Sequence, residues 1–182
     1  FYQQALEFDR QISNRGRESA NLGNIGSAYY HLGELRQALE FYEQQLQIDR
    51  TLENRLGEAT SLGNMGNVYL DLGEPHRAIE LYEQALTIDI DLGDRRGEGI
   101  NLGNLGSAFA DLGRFEVALE YYDQRLVIAR ELEDRSAEAS ALNNLGRAYS
   151  GLGDIHCGIG FYEQALFIAR EIGDRNCECV TL

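Results

Sequence analysis

A right-handed α-solenoid of stacked antiparallel helix pairs is the fold class predicted by this sequence, and three observations carry the prediction. The 182 residues repeat with a period of 40 and no insertion. Each period holds two apolar stripes at helical spacing, and no stretch alternates apolar and polar residues as a half-buried strand would. A fixed period of this size signals an array whose units bury their apolar faces only against one another, and the lack of strands excludes a propeller.

The repeat is read most directly from residues that recur in register. Leu22, Leu62, Leu102, Leu142 and Leu182 share one position, Gly26, Gly66, Gly106 and Gly146 a second, and Tyr2, Tyr42, Tyr82, Tyr122 and Tyr162 a third. Arg15, Arg55, Arg95, Arg135 and Arg175 each follow Asn or Asp, and Gly33, Gly73, Gly113 and Gly153 each follow Leu. The chain therefore divides as one array over 1–182. A half repeat occupies 1–13, full repeats 14–53, 54–93, 94–133 and 134–173, and the start of a further helix 174–182.

The elements follow in order. Leu22, Ile25, Tyr29 and Leu32 form the stripe of a first helix, and Leu35, Ala38, Leu39, Tyr42, Leu46 and Leu52 that of a second. First helices are expected near 16–32, 56–72, 96–112 and 136–152, and second helices near 34–53, 74–93, 114–133 and 154–173. The Asn or Asp before each recurrent Arg supplies an N-cap, and the Gly after Leu32 and its equivalents ends the first helix in a left-handed conformation. The sole proline, Pro75, falls in the first turn of a second helix, where a missing N–H costs nothing. Gly158 stands in the slot of Ala38, which predicts a weak second helix in the last repeat.

Composition narrows function. Sixteen basic against thirty acidic residues give a net charge of −14, which disfavours nucleic acid and anionic membrane as partners. All sixteen basic residues are Arg, so the lysine chemistry of P-loop nucleotide hydrolysis, Schiff bases and pyridoxal enzymes has no residue to use it. No apolar run is long enough to cross a membrane. Three cysteines, Cys157, Cys177 and Cys179, form neither a ligand set nor a disulfide framework, which predicts a reduced, cytoplasmic protein. His31, His76 and His156 lie in separate segments without a second ligand at metal spacing, so no metal or other cofactor is expected. No nucleophile, base and oxyanion donor assemble, and an enzyme is not expected. The opening Phe1-Tyr2 reads as the middle of an element, so the sequence is expected to belong to a longer chain. Apolar Phe1, Tyr2, Leu6, Val180 and Leu182 leave no polar cap and allow head-to-tail self-association.

The run Leu22-x2-Ile25-Gly26-x2-Tyr29 followed by Ala38-x3-Tyr42 resembles the tetratricopeptide repeat (TPR) pattern, and the resemblance recurs in every complete repeat. Two departures accompany it: Leu replaces the usual opening Trp, and Arg50, Ile90, Arg130 and Arg170 replace the closing Pro. Repeats of 40 residues are similar to those of kinesin light chains, Pins-type adaptors and bacterial arrays attached to signalling ATPases or caspase-like proteases. The resemblance implies a superhelix that binds a protein or peptide partner without catalysis. The alternative it implies is a spacer or sensor arm of a larger multidomain signalling protein.

The face expected to receive a partner lies opposite the core stripe of each first helix, along residues 20, 24, 27 and 31 and their equivalents. The candidate groove residues are Asn24, Ser27 and His31; Asn64, Asn67 and Asp71; Asn104, Ser107 and Asp111; and Asn144 and Arg147. An Asn within a helix is unfavourable by roughly half a kcal/mol against Ala, and Gly23, Gly63 and Gly103 beside it by about 1 kcal/mol each. An amide carries donor and acceptor together, so a row of them can hydrogen-bond an extended main chain, which glycine would let approach closely. Similar TPR proteins use a groove Asn in this way. The competing reading is that these residues settle contacts between adjacent first helices. The recurrent Arg also has two readings, anion capture at a helix start or a bridge to a carboxylate such as Glu18.

Overall fold

In the computed structural model, described for Ile12 and residues 14–173, eight α-helices and no strand are found among the described residues. They are α1 (Arg15–His31), α2 (Leu35–Thr51), α3 (Arg55–Asp71), α4 (Pro75–Leu92), α5 (Arg95–Asp111), α6 (Phe115–Glu131), α7 (Arg135–Gly151) and α8 (Ile155–Ile172). The end segments expected as half helices, with Phe1, Tyr2, Leu6, Arg175, Cys177, Cys179, Val180 and Leu182, lie outside the described residues.

The predicted starts and stops are made by the predicted side chains. Asn14 accepts from the Arg17 N–H at 3.2 Å, Asn54 from Gly57 at 3.2 Å, and Asp134 from Ala137 at 3.0 Å. Asp94 accepts from both Arg96 and Gly97. Each first helix ends through a glycine with φ between +71° and +87°, a conformation that L side chains rarely adopt. Pro75 opens α4 in its first turn. Glu34, Glu74 and Arg114 provide no side-chain cap to the second helices they precede, whereas Asp154 caps α8 by accepting from Cys157.

The chain resolves into two compact units, Phe1–Gly93 and Asp94–Leu182. In the first, α1 packs on α2, α2 on α3 and α3 on α4; in the second, α5, α6, α7 and α8 follow the same order. Close approach within a helix pair is set by glycine against tyrosine. A Cβ on Gly66 would lie 2.5 Å from the Tyr82 ring, and one on Gly106 2.5 Å from Tyr122. Both tyrosines are fully buried, as are Leu22, Leu62, Leu105 and Leu142. Each such side chain contributes about 1.5–3 kcal/mol relative to exposure. Stacked rings join the two helices of a pair farther along, Tyr29 with Phe41 at 5.3 Å, Phe109 with Tyr121 at 5.4 Å and Tyr149 with Phe161 at 5.2 Å between centroids.

Polar bonds complete the frame. Arg55 and Arg50 both hold Glu58, at 2.6 and 2.8 Å, and Arg135 and Arg130 hold Glu138 at 2.6 and 2.9 Å. Arg95 pairs with Glu98 at 2.6 Å and with Glu131, and Arg135 also reaches Glu171 at 2.5 Å. Arg15 bridges Glu18 at 2.6 Å. The recurrent arginines from 15 to 135 thus take the carboxylate-bridging role rather than standing free for an anion, because a glutamate one turn on is always within reach.

Candidate peptide-binding face

The row of recurrent asparagines is carried on the first helices, α1 and α3 in one unit and α5 and α7 in the other. Asn24 is exposed, and Asn64, Asn104 and Asn144 are half-buried. None of these four amides hydrogen-bonds to any other described residue, while each keeps some access to solvent. A side chain amide spends little by facing water, so the arrangement leaves donor and acceptor available to an incoming main chain.

The next positions along the stripe behave differently. Ser27 Oγ and Tyr42 Oη share a hydrogen bond at 3.1 Å, Tyr82 Oη donates to Asn67 Oδ1 at 2.7 Å, and Tyr122 Oη donates to Ser107 Oγ at 3.3 Å. In α7 the equivalent residue, Arg147, is exposed and donates through Nη2 to Tyr122 Oη at 3.2 Å. These groove candidates therefore satisfy a buried tyrosine of a second helix with one polar atom. Asp71 is exposed and accepts from Tyr30; burial first, then this carboxylate, pushes the Tyr30 hydroxyl up to about 12. His31 is exposed with its ring 5.8 Å from that of Tyr30, and Asp111 is exposed at the end of α5.

The glycines beside the asparagines do something other than expected. A Cβ on Gly23 would lie 2.5 Å from Gln45 Oε1, and one on Gly103 2.4 Å from Arg125 Nη1. They make room for a long polar side chain from the second helix of their own repeat. The neighbour each of these two glycines accommodates is thus on the second helix of its own repeat, not on an adjacent first helix. Arg125 and Gln45 were missed because their positions, Gln45, Ala85, Arg125 and Ala165, break the pattern that reveals everything else. Facing them with glycine was the available signal.

Among the described residues no three His, Cys, Asp or Glu side chains cluster to hold a metal ion, and no helix is long and apolar enough to cross a membrane.

Stacked helix pairs with a glycine–tyrosine contact in each define a class of helical-repeat interaction scaffold, and comparison with known proteins places the chain within it. A model described as Tetratricopeptide repeat matches residues 16–91 and 98–171, so the chain belongs to the tetratricopeptide repeat family. Similar solved structures include BtubC (BKLC) from P. vanneervenii, with 21% identity over 95% of this chain and 72% of that one and a TM-score of 0.84. Aspartyl phosphate phosphatase F from Bacillus subtilis shares 15% identity over 99% of this chain and 47% of its own, with a TM-score of 0.92. A Rap protein complexed with competence and sporulation factor shares 21% identity over 90% of this chain and 46% of its own, with a TM-score of 0.79. The chain thus spans about half the length of the last two. At these identities the likeness is one of fold. A search of curated proteins returned no significant match.

Proposed function

We propose that this chain is a non-catalytic binding module that takes extended segments of another polypeptide along the exposed faces of the first helices in each unit. The observation that carries the reading is the asparagine at one register in all four first helices, solvent-accessible and without a hydrogen-bond partner among the described residues. An amide so placed recognises main chain rather than side chain, so the module selects a partner by its extended conformation first. Arg147, one turn beyond Asn144, adds a positive group in a strongly acidic molecule. The Rap protein complexed with competence and sporulation factor supports the reading at the level of the fold alone. The chemistry of the face matches a soluble polypeptide better than nucleic acid or an anionic bilayer, since the net charge of −14 repels both.

The test uses peptides selected on the protein from a randomised library. Replacing Asn64 and Asn104 together with Ala should weaken capture of those peptides about tenfold, roughly 1.4 kcal/mol, while the melting temperature stays level or rises because Ala is the better helix former. A large fall in melting temperature with unchanged peptide affinity would move these amides into the frame and end the receptor reading.

A further inference from the structure

A cavity of about 250 Å³ lies in the second unit among α5, α6 and α7. Ile100, Ile128 and Leu132 wall it, Arg125 enters it from α6, and Ser136 and Ser140 line it from α7. The repeat supplies an internal comparison eighty residues, two repeats, back. At the equivalent positions of the first unit Ser19 Oγ donates to Asp49 Oδ1 at 2.7 Å, Asn54 Nδ2 donates to the same oxygen at 2.9 Å, and Gln45 is buried beside them. In the second unit Gly99 stands where Ser19 does, Ala129 where Asp49 does, Arg125 where Gln45 does and Ser136 where Leu56 does. Bulk and carboxylate have been removed, and a positive charge has been put in.

That charge has no bonded partner. Arg125 is half-buried and makes no hydrogen bond or ion pair with any described residue, although a guanidinium offers five donors. It runs along the notch left by Gly103, where any Cβ would meet it. Burial lowers its pKa, and nearby Tyr122 and Asp134 offset this only in part. Asp134, the one carboxylate lining the cavity, is bonded to groups other than Arg125: Oδ1 caps α7 at Ala137 N at 3.0 Å, and Oδ2 pairs at 3.5 Å with Arg96, which also lines the cavity. The hydroxyls of Ser136 and Ser140 also have no hydrogen bond to another described residue. Buried charges are normally paired, and a desolvated guanidinium fits a carboxylate through two parallel N–H···O bonds. The volume suits one side-chain-sized group rather than a drug-sized ligand. A doubly charged phosphate would suffer from Asp134 and the apolar walls more than a monoanion does.

We infer that this cavity is a binding site for a carboxylate carried on a short apolar stem, with the Arg125 guanidinium as its anchor, Ser136 and Ser140 as flanking donors, and Ile100, Ile128 and Leu132 holding the stem. The site shares no residue with the asparagine row and stands or falls separately from it.

The probe is 4-methylpentanoate, with 4-methylpentanamide as its neutral isostere, followed through the Arg125 Nε–Hε resonance of isotopically labelled protein and by calorimetry. The acid should shift that resonance saturably, and the amide should bind at least tenfold more weakly. R125Q, which installs the residue found at position 45, should weaken acid binding at least tenfold without lowering the melting temperature. A129D supplies an internal carboxylate one turn from Arg125; it should raise the melting temperature and abolish the shift, and it decides the matter if R125Q does not fold. Equal binding of acid and amide, a shift that never saturates, or unchanged acid binding in A129D overturns the inference. Two peptide pairs then identify the source of the carboxylate: one ending in Leu with a free or amidated terminus, the other amidated with an internal Glu or Gln. A tenfold preference within either pair assigns the group to that terminus or side chain, and no preference in either assigns the site to a free small carboxylic acid.

Discussion

At the scale of single residues, the fold turns on what each glycine faces. Gly66 lies against the ring of Tyr82, which is fully buried and cannot swing aside. Gly66→Ala gains about 1 kcal/mol of helix propensity and incurs an overpacking penalty of about 1–3 kcal/mol, so thermal or urea unfolding should show a net loss of up to about 2 kcal/mol. Gly160, inside α8, has nothing within 4 Å of its Cβ position. Gly160→Ala should stabilise by about 0.5–1 kcal/mol. If the two substitutions behave alike, propensity rather than packing governs these sites. The sequence distinguished them only partly. Gly26, Gly66, Gly106 and Gly146 announce a contact by recurring, and Tyr42 and its equivalents announce its other half. Gly23 and Gly103 also recur, but local sequence does not say what a Cβ would meet, so their true neighbours, Gln45 and Arg125, emerged only with the helices in place.

At the scale of helices, the links between consecutive elements are titratable. Burial raises the Glu58 carboxyl, but Arg50 and Arg55 more than offset it and hold the group below the ordinary carboxylate range; Glu138 is held down in the same way by Arg130 and Arg135. A carboxyl whose folded pKa is depressed stabilises the protein above its unfolded pKa, and that stabilisation fades as pH falls through the folded value. Stability measured by urea unfolding should therefore decline below about pH 5. E58Q and E138Q should each lose about 1 kcal/mol at pH 7 and flatten the decline, given that the arginine partners are half exposed to solvent. A decline as steep in the double variant as in the parent would assign acid sensitivity to other groups. Helix existence and caps were legible beforehand because both are local: an Asn or Asp before Arg and a Gly after Leu act within one turn. The cavity of the second unit was illegible because three helices enclose it, and it depends on four departures from the repeat rather than on the repeat itself.

At the scale of the molecule, stability is expected to be a sum over helix pairs and their junctions. Weakening one unit should then leave the other protected. Hydrogen exchange on the Gly66→Ala variant should show amides of α1–α4 exchanging faster, with those of α5–α8 slowed as in the parent. Uniform acceleration across all eight helices would instead reveal a single cooperative block. Asp154 bears on the same question from the far side. The sequence marked the last second helix as weak through Gly158, yet α8 alone among the described second helices has a side-chain cap. A cap contributes about 1 kcal/mol, comparable with the cost of one glycine.

The Ser19–Asp49–Asn54 cluster and the cavity around Arg125 are two versions of one junction, held by the same scaffold in the same polypeptide. Tandem duplication makes such divergence cheap to explore, since a spare copy can be hollowed out while its siblings keep the chain folded. New recognition in a protein of this architecture can therefore begin by subtraction: a few trimmed side chains and one stranded charge open a vessel, with no helix moved and no loop lengthened.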